Sequence, residues 1–230
     1  MLIEWATLSD QDIRQLDKNV PVIVPIGLVE AHGAHLGLGT DYLAAERLAR
    51  EVCEATGAIL CPTLPYGFAD VGREYAGTVG VRAETLIALV ADLCDCFCRH
   101  GFKKVIFLSG HGANASVCEL GFYRAWEQHP DLQPACWNWW TIAGVTVHHG
   151  DEKETEIAMA LSLPVWPERA QDIEITKPWH KERSRAERYP QTGGINGHPS
   201  RANAERAKAF HQQILQVLIE RVRTACESPL

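Results

Sequence analysis

Val20-Pro-Val-Ile-Val-Pro-Ile26 is an apolar run that is followed almost at once by polar side chains. A short continuous apolar run of this kind predicts a strand buried on both faces, as in a parallel sheet. Glu30, His32, His35 and Asp41 come shortly after it. The pattern therefore predicts a buried strand that delivers carboxylate and imidazole groups to one edge of a sheet.

Apolar runs and amphipathic segments alternate along the rest of the chain. Further strands are predicted at residues 58–61, 104–108 and 134–140. Helices are predicted at residues 41–55, 83–100 and 201–224, with two more that end near residues 128 and 163. Residues 164–200 are rich in proline and are predicted to be irregular. This alternation predicts a single α/β domain over residues 1–230, with a mostly parallel sheet and helices on both faces, a three-layer α/β/α fold.

The composition limits the classes of partner that we expect for this protein and its expected location in the cell. The chain has 230 residues and a formal net charge of −7, without a cluster of Lys and Arg. Nucleic acids and anionic membranes attract such clusters, so we expect neither as a partner. The first residues lack the features of a signal peptide, and no stretch has the roughly 18–20 consecutive apolar residues of a membrane span. We therefore expect a cytoplasmic protein.

The eight cysteines are interpreted as packing or surface thiols, because disulfides are rare in cytosolic proteins. Cys94, Cys96 and Cys98 lie within a predicted helix. Successive members are rotated by about 200° around that helix, so they cannot face one metal ion together. A redox role for the thiols is the weaker alternative.

Three polar segments, at residues 30–41, 109–114 and 148–154, each follow a predicted strand. Ligands of open parallel sheets bind at the carboxyl ends of the strands, where the loops converge. We therefore expect the three segments to meet at one edge of the sheet and to form a site there.

The first segment has the donor types of a metal site. Glu30 and His32 are two positions apart, so they point to the same side of an extended backbone. His35 either joins them or caps the loop, and Asp41 is either a ligand or a helix cap. Mixed oxygen and nitrogen donors suit a divalent metal of the zinc or manganese type, for which hydrolysis is the first reaction class to consider.

The other two segments add further histidines and acids. In the second, Ser109-Gly-His-Gly-Ala-Asn114, His111 is projected at the sheet edge, and Asn114 either caps the next helix or contacts a substrate. The third begins His148-His149 and continues with acids that are favoured at a helix start anyway. A free imidazole beside a metal site is suited to shuttle protons.

Together these motifs resemble the creatininase (creatinine amidohydrolase) family. The resemblance spans about residues 5–215, and the main matching stretches are Glu30-Ala-His32-Gly-Ala-His35-Leu, Thr40-Asp41, Gly110-His111-Gly-Ala-Asn114 and His149-Gly-Asp-Glu-Lys-Glu154-Thr. Two further stretches resemble other family segments: Pro65-Tyr66-Gly67 with Gly77-Thr78, and Gly193-Gly-Ile-Asn-Gly197-His-Pro199.

The resemblance implies a dinuclear amidohydrolase that assembles as a homohexamer and binds two divalent ions, Zn²⁺ and/or Mn²⁺. It implies that Glu30 and His111 hold one ion, that His32 and Glu154 hold the other, and that Asp41 bridges the two. A bridging water would attack an amide carbon. His149 would protonate the departing nitrogen, and Glu152 would orient His149 or help to handle the proton.

The chain departs from the family pattern at four positions. Creatinine-hydrolysing members carry a glutamate where this chain has Ala113, and Gly37 stands where proline is usual. Ser109 and His198 also replace common residues. These changes leave the fold and the amide chemistry intact, but they weaken the case for creatinine as the substrate.

Tyr66, Asn114 and Trp140 are the candidate substrate contacts. Trp137, Trp139 and Trp140 either pack in the core and at subunit interfaces or form an aromatic wall for a flat cyclic substrate. The leading hypothesis is hydrolysis of a C–N bond in a small molecule, a cyclic amide or formamide. The alternatives are a formamide hydrolase of purine or flavin precursors and a small-peptide-processing hydrolase of redox-cofactor maturation. The rival from another class is a non-catalytic metal- or ligand-binding protein, which would lack a ligand or the acid/base histidine.

Overall fold

The computed structural model describes residues 2–69, 72–173 and 193–228, in which five strands form one sheet. The strands are β1 (Ile3–Glu4), β2 (Val22–Ile26), β3 (Ile59–Leu60), β4 (Lys104–Ser109) and β5 (Gln133–Asn138). Their order is β1-β3-β2-β4-β5, and all four pairs are parallel. The predicted α/β fold with a parallel sheet is confirmed.

Helices cover both faces of this sheet. In the described ranges the α-helices are α1 (Asp10–Gln15), α2 (Thr40–Thr56), α3 (Ala83–Arg99), α4 (Asn114–Trp126), α5 (Trp139–Ile142), α6 (Glu152–Ala160) and α7 (Ala204–Glu227). Ile23 and Ile106 belong to the core shared with α2, α6 and α7, whereas Val24 and Phe107 belong to the core shared with α3 and α4. Because β2 and β4 are covered on both sides, their sequences are continuous apolar runs. The three-layer arrangement is therefore confirmed.

The central strands end level with one another. Ile26 of β2 pairs with Ser109 of β4, and Ser109 pairs with Asn138 of β5. The backbone N–H of Gly110 donates to the carbonyl of Ile26 at 2.9 Å, which extends the pairing by one step. The polar segments that follow β2 and β4 therefore leave the sheet from the same edge.

The structure differs from the sequence prediction at the ends of the sheet. The strand predicted over residues 134–140 stops at Asn138, because Trp139 begins the short helix α5. Neither β1, of two residues, nor α1 was predicted; α1 begins after a capping box between Ser9 and Asp12. Within the predicted irregular segment, residues 174–192 lie outside the described residues.

The burial of the three cysteines on α3 follows the rotation of successive residues around the helix. Cys94 and Cys98 are buried on α3 and Cys96 between them is exposed, as the rotation around a helix requires, and all eight cysteines are free. In the described part of the chain, no helix combines the length and the apolar character that crossing a bilayer requires.

Candidate metal centre

The loop after β2 brings Glu30 and His32 to the sheet edge. The backbone N–H of Glu30 donates to the carbonyl of Leu38 at 2.8 Å, so the loop folds back on itself. The ring of His32 is fixed by its Nδ1, which donates to the carbonyl oxygen of Glu30 at 3.0 Å. That contact leaves Nε2 of His32 as the nitrogen that is available to bind a metal ion, and Nε2 points towards Asp41.

Asp41 lies in the first turn of α2 and faces both histidines of the cluster. Its Oδ1 is 3.0 Å from Nε2 of His32, and its Oδ2 is 3.2 Å from Nδ1 of His111. The residue that precedes the helix is Gly39, and it makes no side-chain cap. Asp41 therefore does not occupy the N-cap position, and its carboxylate is buried between two imidazoles.

His111 reaches the cluster through a tight turn after β4. The Oγ of Ser109 accepts from the backbone N–H of His111 at 3.1 Å and donates to its carbonyl oxygen at 2.8 Å. Gly110 presses against α2 so closely that a Cβ there would lie 2.1 Å from the carbonyl oxygen of Asp41. Only glycine allows this approach, which brings Nδ1 of His111 within 3.1 Å of Oε2 of Glu30.

Glu154 enters from the first turn of α6. Asp151 caps this helix, with its Oδ1 accepting from the N–H groups of Lys153 and Glu154 at 2.9 Å each. Oε2 of Glu154 accepts from the N–H of Gly150 at 2.6 Å and lies 3.5 Å from Nε2 of His32. The acids at the start of α6 thus divide into a cap, Asp151, and a carboxylate that belongs to the cluster.

These side chains form two groups of three whose ligand atoms lie within 4.8 Å of one another: Glu30, Asp41 and His111, and His32, Asp41 and Glu154. All five residues are buried. Nε2 of His111 is buried without a hydrogen-bond partner. Oε2 of Glu30 and Oδ2 of Asp41 both face the same ring nitrogen, Nδ1 of His111, which can donate only one hydrogen. Among the described residues that line the adjoining cavity there is no Lys or Arg to balance the carboxylates. Converging, poorly paired oxygen and nitrogen donors fit two divalent ions of the zinc or manganese type.

Crowding and burial set the direction of the pKa shifts. Burial raises the pKa of the Glu30 carboxyl, but the imidazoles of His149 and His111 together hold that pKa below its ordinary value. Burial lowers the pKa of His32, but the carboxylates, with Glu154 first, raise it well above the ordinary value. The pKa of His111 is raised in the same way beside Glu30. Protons and metal ions would therefore compete for the same ligand atoms.

His35 supports the site from behind. The side chain of His35 is fully buried, and its Nε2 donates to Oγ1 of Thr155 at 3.1 Å. The Thr155 hydroxyl in turn donates to the carbonyl of Asp151 at 2.7 Å. Burial, reinforced by the nearby His32, lowers the pKa of His35 to about 4. His35 belongs to neither group of three, and as a neutral ring it ties the first loop to α6.

His149 stands over the cluster at the rim of a cavity of about 640 Å³. Its ring stacks on that of His32, with centroids 4.2 Å apart and an angle of 29° between the planes. Its Nδ1 is 3.9 Å from Oε2 of Glu30. Glu30, His32 and His149 also form a third group with metal-ligand spacing. A proton carried by this ring can reach a molecule held in the cavity.

The other predicted site residues take different positions. Trp140 lines the cavity, whereas Tyr66 is 52% exposed and does not line it. Asn114 is buried: its Oδ1 accepts from the N–H of Phe68 at 2.9 Å, and its Nδ2 donates to the carbonyl of Gly27 at 3.2 Å. This carboxamide ties two loops together and does not cap α4. Glu152 is the first residue of α6 and is not among the lining residues.

Several lining residues were not singled out from the sequence. Phe68 and Tyr75 come from the loop between β3 and α3, and Ser116 from the first turn of α4. Gly194 and Asn196 come from the glycine-rich stretch that begins at Gly193. That stretch resembles a family segment in the sequence, but no role in the site was predicted for it. Nothing in the sequence distinguishes Phe68 from a core phenylalanine.

Comparison with known proteins identifies the family to which the chain is similar. The family model described as creatinine amidohydrolase (Creatininase) matches residues 6–222. The creatinine amidohydrolase of Pseudomonas putida is 27% identical over 114 residues, 47% of this chain and 44% of that protein. The mycofactocin precursor peptide peptidase of Mycolicibacterium smegmatis is 34% identical over 120 residues, 48% of this chain and 47% of the relative. The 3-dehydro-scyllo-inosose hydrolase of Thermotoga maritima is 30% identical over 112 residues, 48% of this chain and 36% of that protein.

These matches leave much of each relative uncovered, since the chain spans roughly half the length of the curated relatives that it matches. Solved structures are matched along nearly the whole chain. A crystal structure of creatinine amidohydrolase superposes with a TM-score of 0.87 at 20% identity and covers 96% of both chains. A structure described as "Creatininase Mn" superposes with a TM-score of 0.87 at 20% identity, with 97% of this chain and 98% of that chain covered. At this identity the likeness concerns the fold.

Proposed function

The chain belongs to the creatininase family, and on that basis we propose that it is a dinuclear-metal-dependent amidohydrolase that cleaves a C–N bond of a cyclic amide or formamide. The observation that carries the proposal is the pair of buried ligand groups that share Asp41. A shared carboxylate between two sites is the arrangement expected of a two-metal hydrolase.

We propose Glu30 and His111 as ligands of one ion, His32 and Glu154 as ligands of the other, and Asp41 as the bridge. Two divalent ions, zinc or manganese, would supply a water nucleophile at neutral pH and polarise the carbonyl oxygen of the substrate. The protein's part is to keep five donors converged in a buried cluster.

His149 is the proposed general acid. Its ring lies on the cavity beside the cluster, within reach of a nitrogen that departs from a molecule bound there. Glu152 begins the helix that follows and does not line the cavity, so we propose only an indirect role for it, in passing the proton to solvent.

The cavity and one substitution support the proposed substrate class. A volume of about 640 Å³ lies within the range of about 300–1,000 Å³ typical of pockets for drug-sized ligands, so a molecule larger than a single small ring would fit. Ala113 lines this cavity where the family resemblance places a glutamate, which disfavours creatinine itself. Trp140 and Phe68 provide aromatic surface in the cavity, which favours a planar group on the substrate.

The second candidate is hydrolysis of a small peptide. It is favoured by the similarity to mycofactocin precursor peptide peptidases, which are 28–34% identical to parts of the chain. The cavity volume also accommodates a peptide end. Within the leading proposal, a formamide hydrolase would be recognised by its acyl product, which is formate.

The rival of another class, a non-catalytic metal- or ligand-binding protein, predicts an incomplete site. Here all five candidate ligands converge, and His149 lies on the cavity beside them. We also propose a homohexamer by family resemblance, with the exposed apolar side chains of Leu120 and Tyr123 on α4 available for contacts between copies. A cytoplasmic location stays a prediction.

The test is a turnover screen with zinc-loaded and manganese-loaded protein on cyclic amides, formamides and short peptides. We expect hydrolysis in at least one class, which decides between the candidates. His149→Ala should retain both metals and lose most of the turnover. Unchanged activity in that variant would refute the acid assignment, and no turnover of any class by fully loaded protein would favour the non-catalytic alternative.

A further inference from the structure

Segment 193–197, which reads Gly-Gly-Ile-Asn-Gly, crosses directly over the turn that carries His149. The N–H of Asn196 donates to the carbonyl of His149 at 2.8 Å. The buried side chain of Ile195 fills the space above two glycines: its Cδ1 lies 2.1 Å from where a Cβ of Gly33 would be, and its Cγ1 lies 3.1 Å from that of Gly150. The segment thus joins the His149 turn to the loop after β2.

The hydrogen bonds of His149 distinguish its two ring nitrogens. Nε2 lies 2.8 Å from the carbonyl oxygen of Ala31 and 3.3 Å from that of Gly193. A carbonyl oxygen only accepts, so Nε2 must carry a hydrogen in both the neutral and the charged ring. In the neutral ring Nδ1 is then the nitrogen without a hydrogen, and it faces Oε2 of Glu30 at 3.9 Å.

The ring is also confined on its sides. One face stacks on His32. A Cβ at Gly194 would lie 3.2 Å from Cδ2 and 3.3 Å from Nε2 of the His149 ring, and 3.2 Å from Cε2 of Tyr75. Gly194 has a φ of +81°, which side chains rarely adopt. A ring turned over by 180° would place a carbon against both carbonyls and lose both hydrogen bonds.

We infer that segment 193–197 is a positioning element for His149, which holds Nε2–H on the carbonyls of Gly193 and Ala31 and directs Nδ1 into the metal cluster. Gly193 and Gly194 are the positioning residues, and the atom that delivers the proton is Nδ1. The inference rests on the proposed function for the role of the proton, but the orientation of the ring does not depend on it.

The orientation can be measured without a substrate. Zinc-loaded protein labelled with ¹⁵N-histidine gives separate long-range ¹H–¹⁵N patterns for the two neutral forms of a histidine ring. The spectrum is recorded at about pH 9, above the ordinary titration range of histidine, and His149 is assigned by the signals that disappear in His149→Gln. We expect a protonated Nε2 and an unprotonated Nδ1 for the wild-type protein.

Gly194→Ala is the test variant, and Gly57→Ala is its matched control. Gly57 has a similar φ of +77°, but nothing lies within 4 Å of a Cβ there. We expect the Gly57→Ala spectrum to match the wild type, and the Nδ1 signal of Gly194→Ala to shift towards the protonated position. Ile195→Ala, which keeps every glycine, should shift the signal in the same direction if Gly194→Ala does not fold.

Two results would overturn the inference. One is a protonated Nδ1 in the neutral wild-type ring, and the other is a wild-type pattern that persists in folded Gly194→Ala or, where that variant is unfolded, in Ile195→Ala. Failure of the substrate screen with the expected spectra would count against the proposed hydrolase while leaving the orientation of His149 established.

Discussion

Asp41→Asn tests the shared carboxylate, because Asn keeps the shape of the side chain and removes its charge. One oxygen of Asp41 faces His32 and the other faces His111. In asparagine one of these atoms becomes an NH₂ group, which cannot bind a cation. Both candidate ion sites therefore lose an anionic ligand, and one of them loses the ligand atom itself.

The size of the effect follows from burial. Asp41 is only 2% exposed, so water cannot easily replace its charge. Removing one partner of a buried charge pair costs about 3–5 kcal/mol. At about 1.4 kcal/mol per factor of ten, this weakens binding of at least one ion more than about 100-fold. A metal concentration that stabilises the wild-type fold by about 2.7 kcal/mol, at 100 times Kd, would then hardly stabilise the variant at that site.

The assay combines metal content per chain after dialysis with the shift in Tm on addition of Zn²⁺ or Mn²⁺. We expect two ions per wild-type chain, at most one in Asp41→Asn, and a smaller Tm shift in the variant. Asp95→Asn is the control, because Asp95 also contacts a histidine, His129 at 2.8 Å, but lies on α3 away from the site. Two tightly bound ions in Asp41→Asn would exclude Asp41 as the ligand that both ions share.

Three further predictions concern the surroundings of the cluster. Since the pKa of His35 is about 4 in the fold against an ordinary 6.5, its contribution to stability is present above pH 6.5 and is lost as pH falls towards 4. It amounts to at most about 3.4 kcal/mol, so metal-free His35→Gln should show a weaker loss of unfolding free energy across this range in urea titrations; equal slopes would contradict the assignment. Asn114→Ala removes buried hydrogen bonds to Phe68 and Gly27 and should lower the unfolding free energy by about 1–3 kcal/mol, whereas a changed KM at unchanged stability would indicate a substrate contact. Gly110→Ala places a methyl group 2.1 Å from the carbonyl oxygen of Asp41 and should lower metal content, while Gly144→Ala, with open space around it, should not.

The layers and the location of the site could be predicted from the sequence for a physical reason. Strands β2 and β4 are buried on both faces, so their apolar runs are continuous and easily recognised. The parallel arrangement then brings the segments after β2 and β4 to one edge, where Glu30 and His111 meet at 3.1 Å. Glu30 and His111 are about eighty residues apart in the sequence, so their contact could be predicted from the order and direction of the strands alone.

Other features depend on tertiary contacts that local sequence does not encode. Trp139 has strand-like neighbours but begins a helix, and its ring is 1% exposed in the core beside Phe210 of α7. Asparagine is a residue type that often caps helices, yet the carboxamide of Asn114 hydrogen-bonds to the backbone of two distant loops, at Phe68 and Gly27. Phe68 reaches the cavity through a loop whose course is set by such contacts, so periodicity could not identify it.

The most direct measurement is the anomalous scattering of a crystal of the zinc- or manganese-loaded protein, collected at the absorption edge of the metal. We expect two peaks per chain, one among Glu30, Asp41 and His111 and the other among His32, Asp41 and Glu154. A single peak, or a peak among Glu30, His32 and His149 in place of either one, would contradict the dinuclear centre.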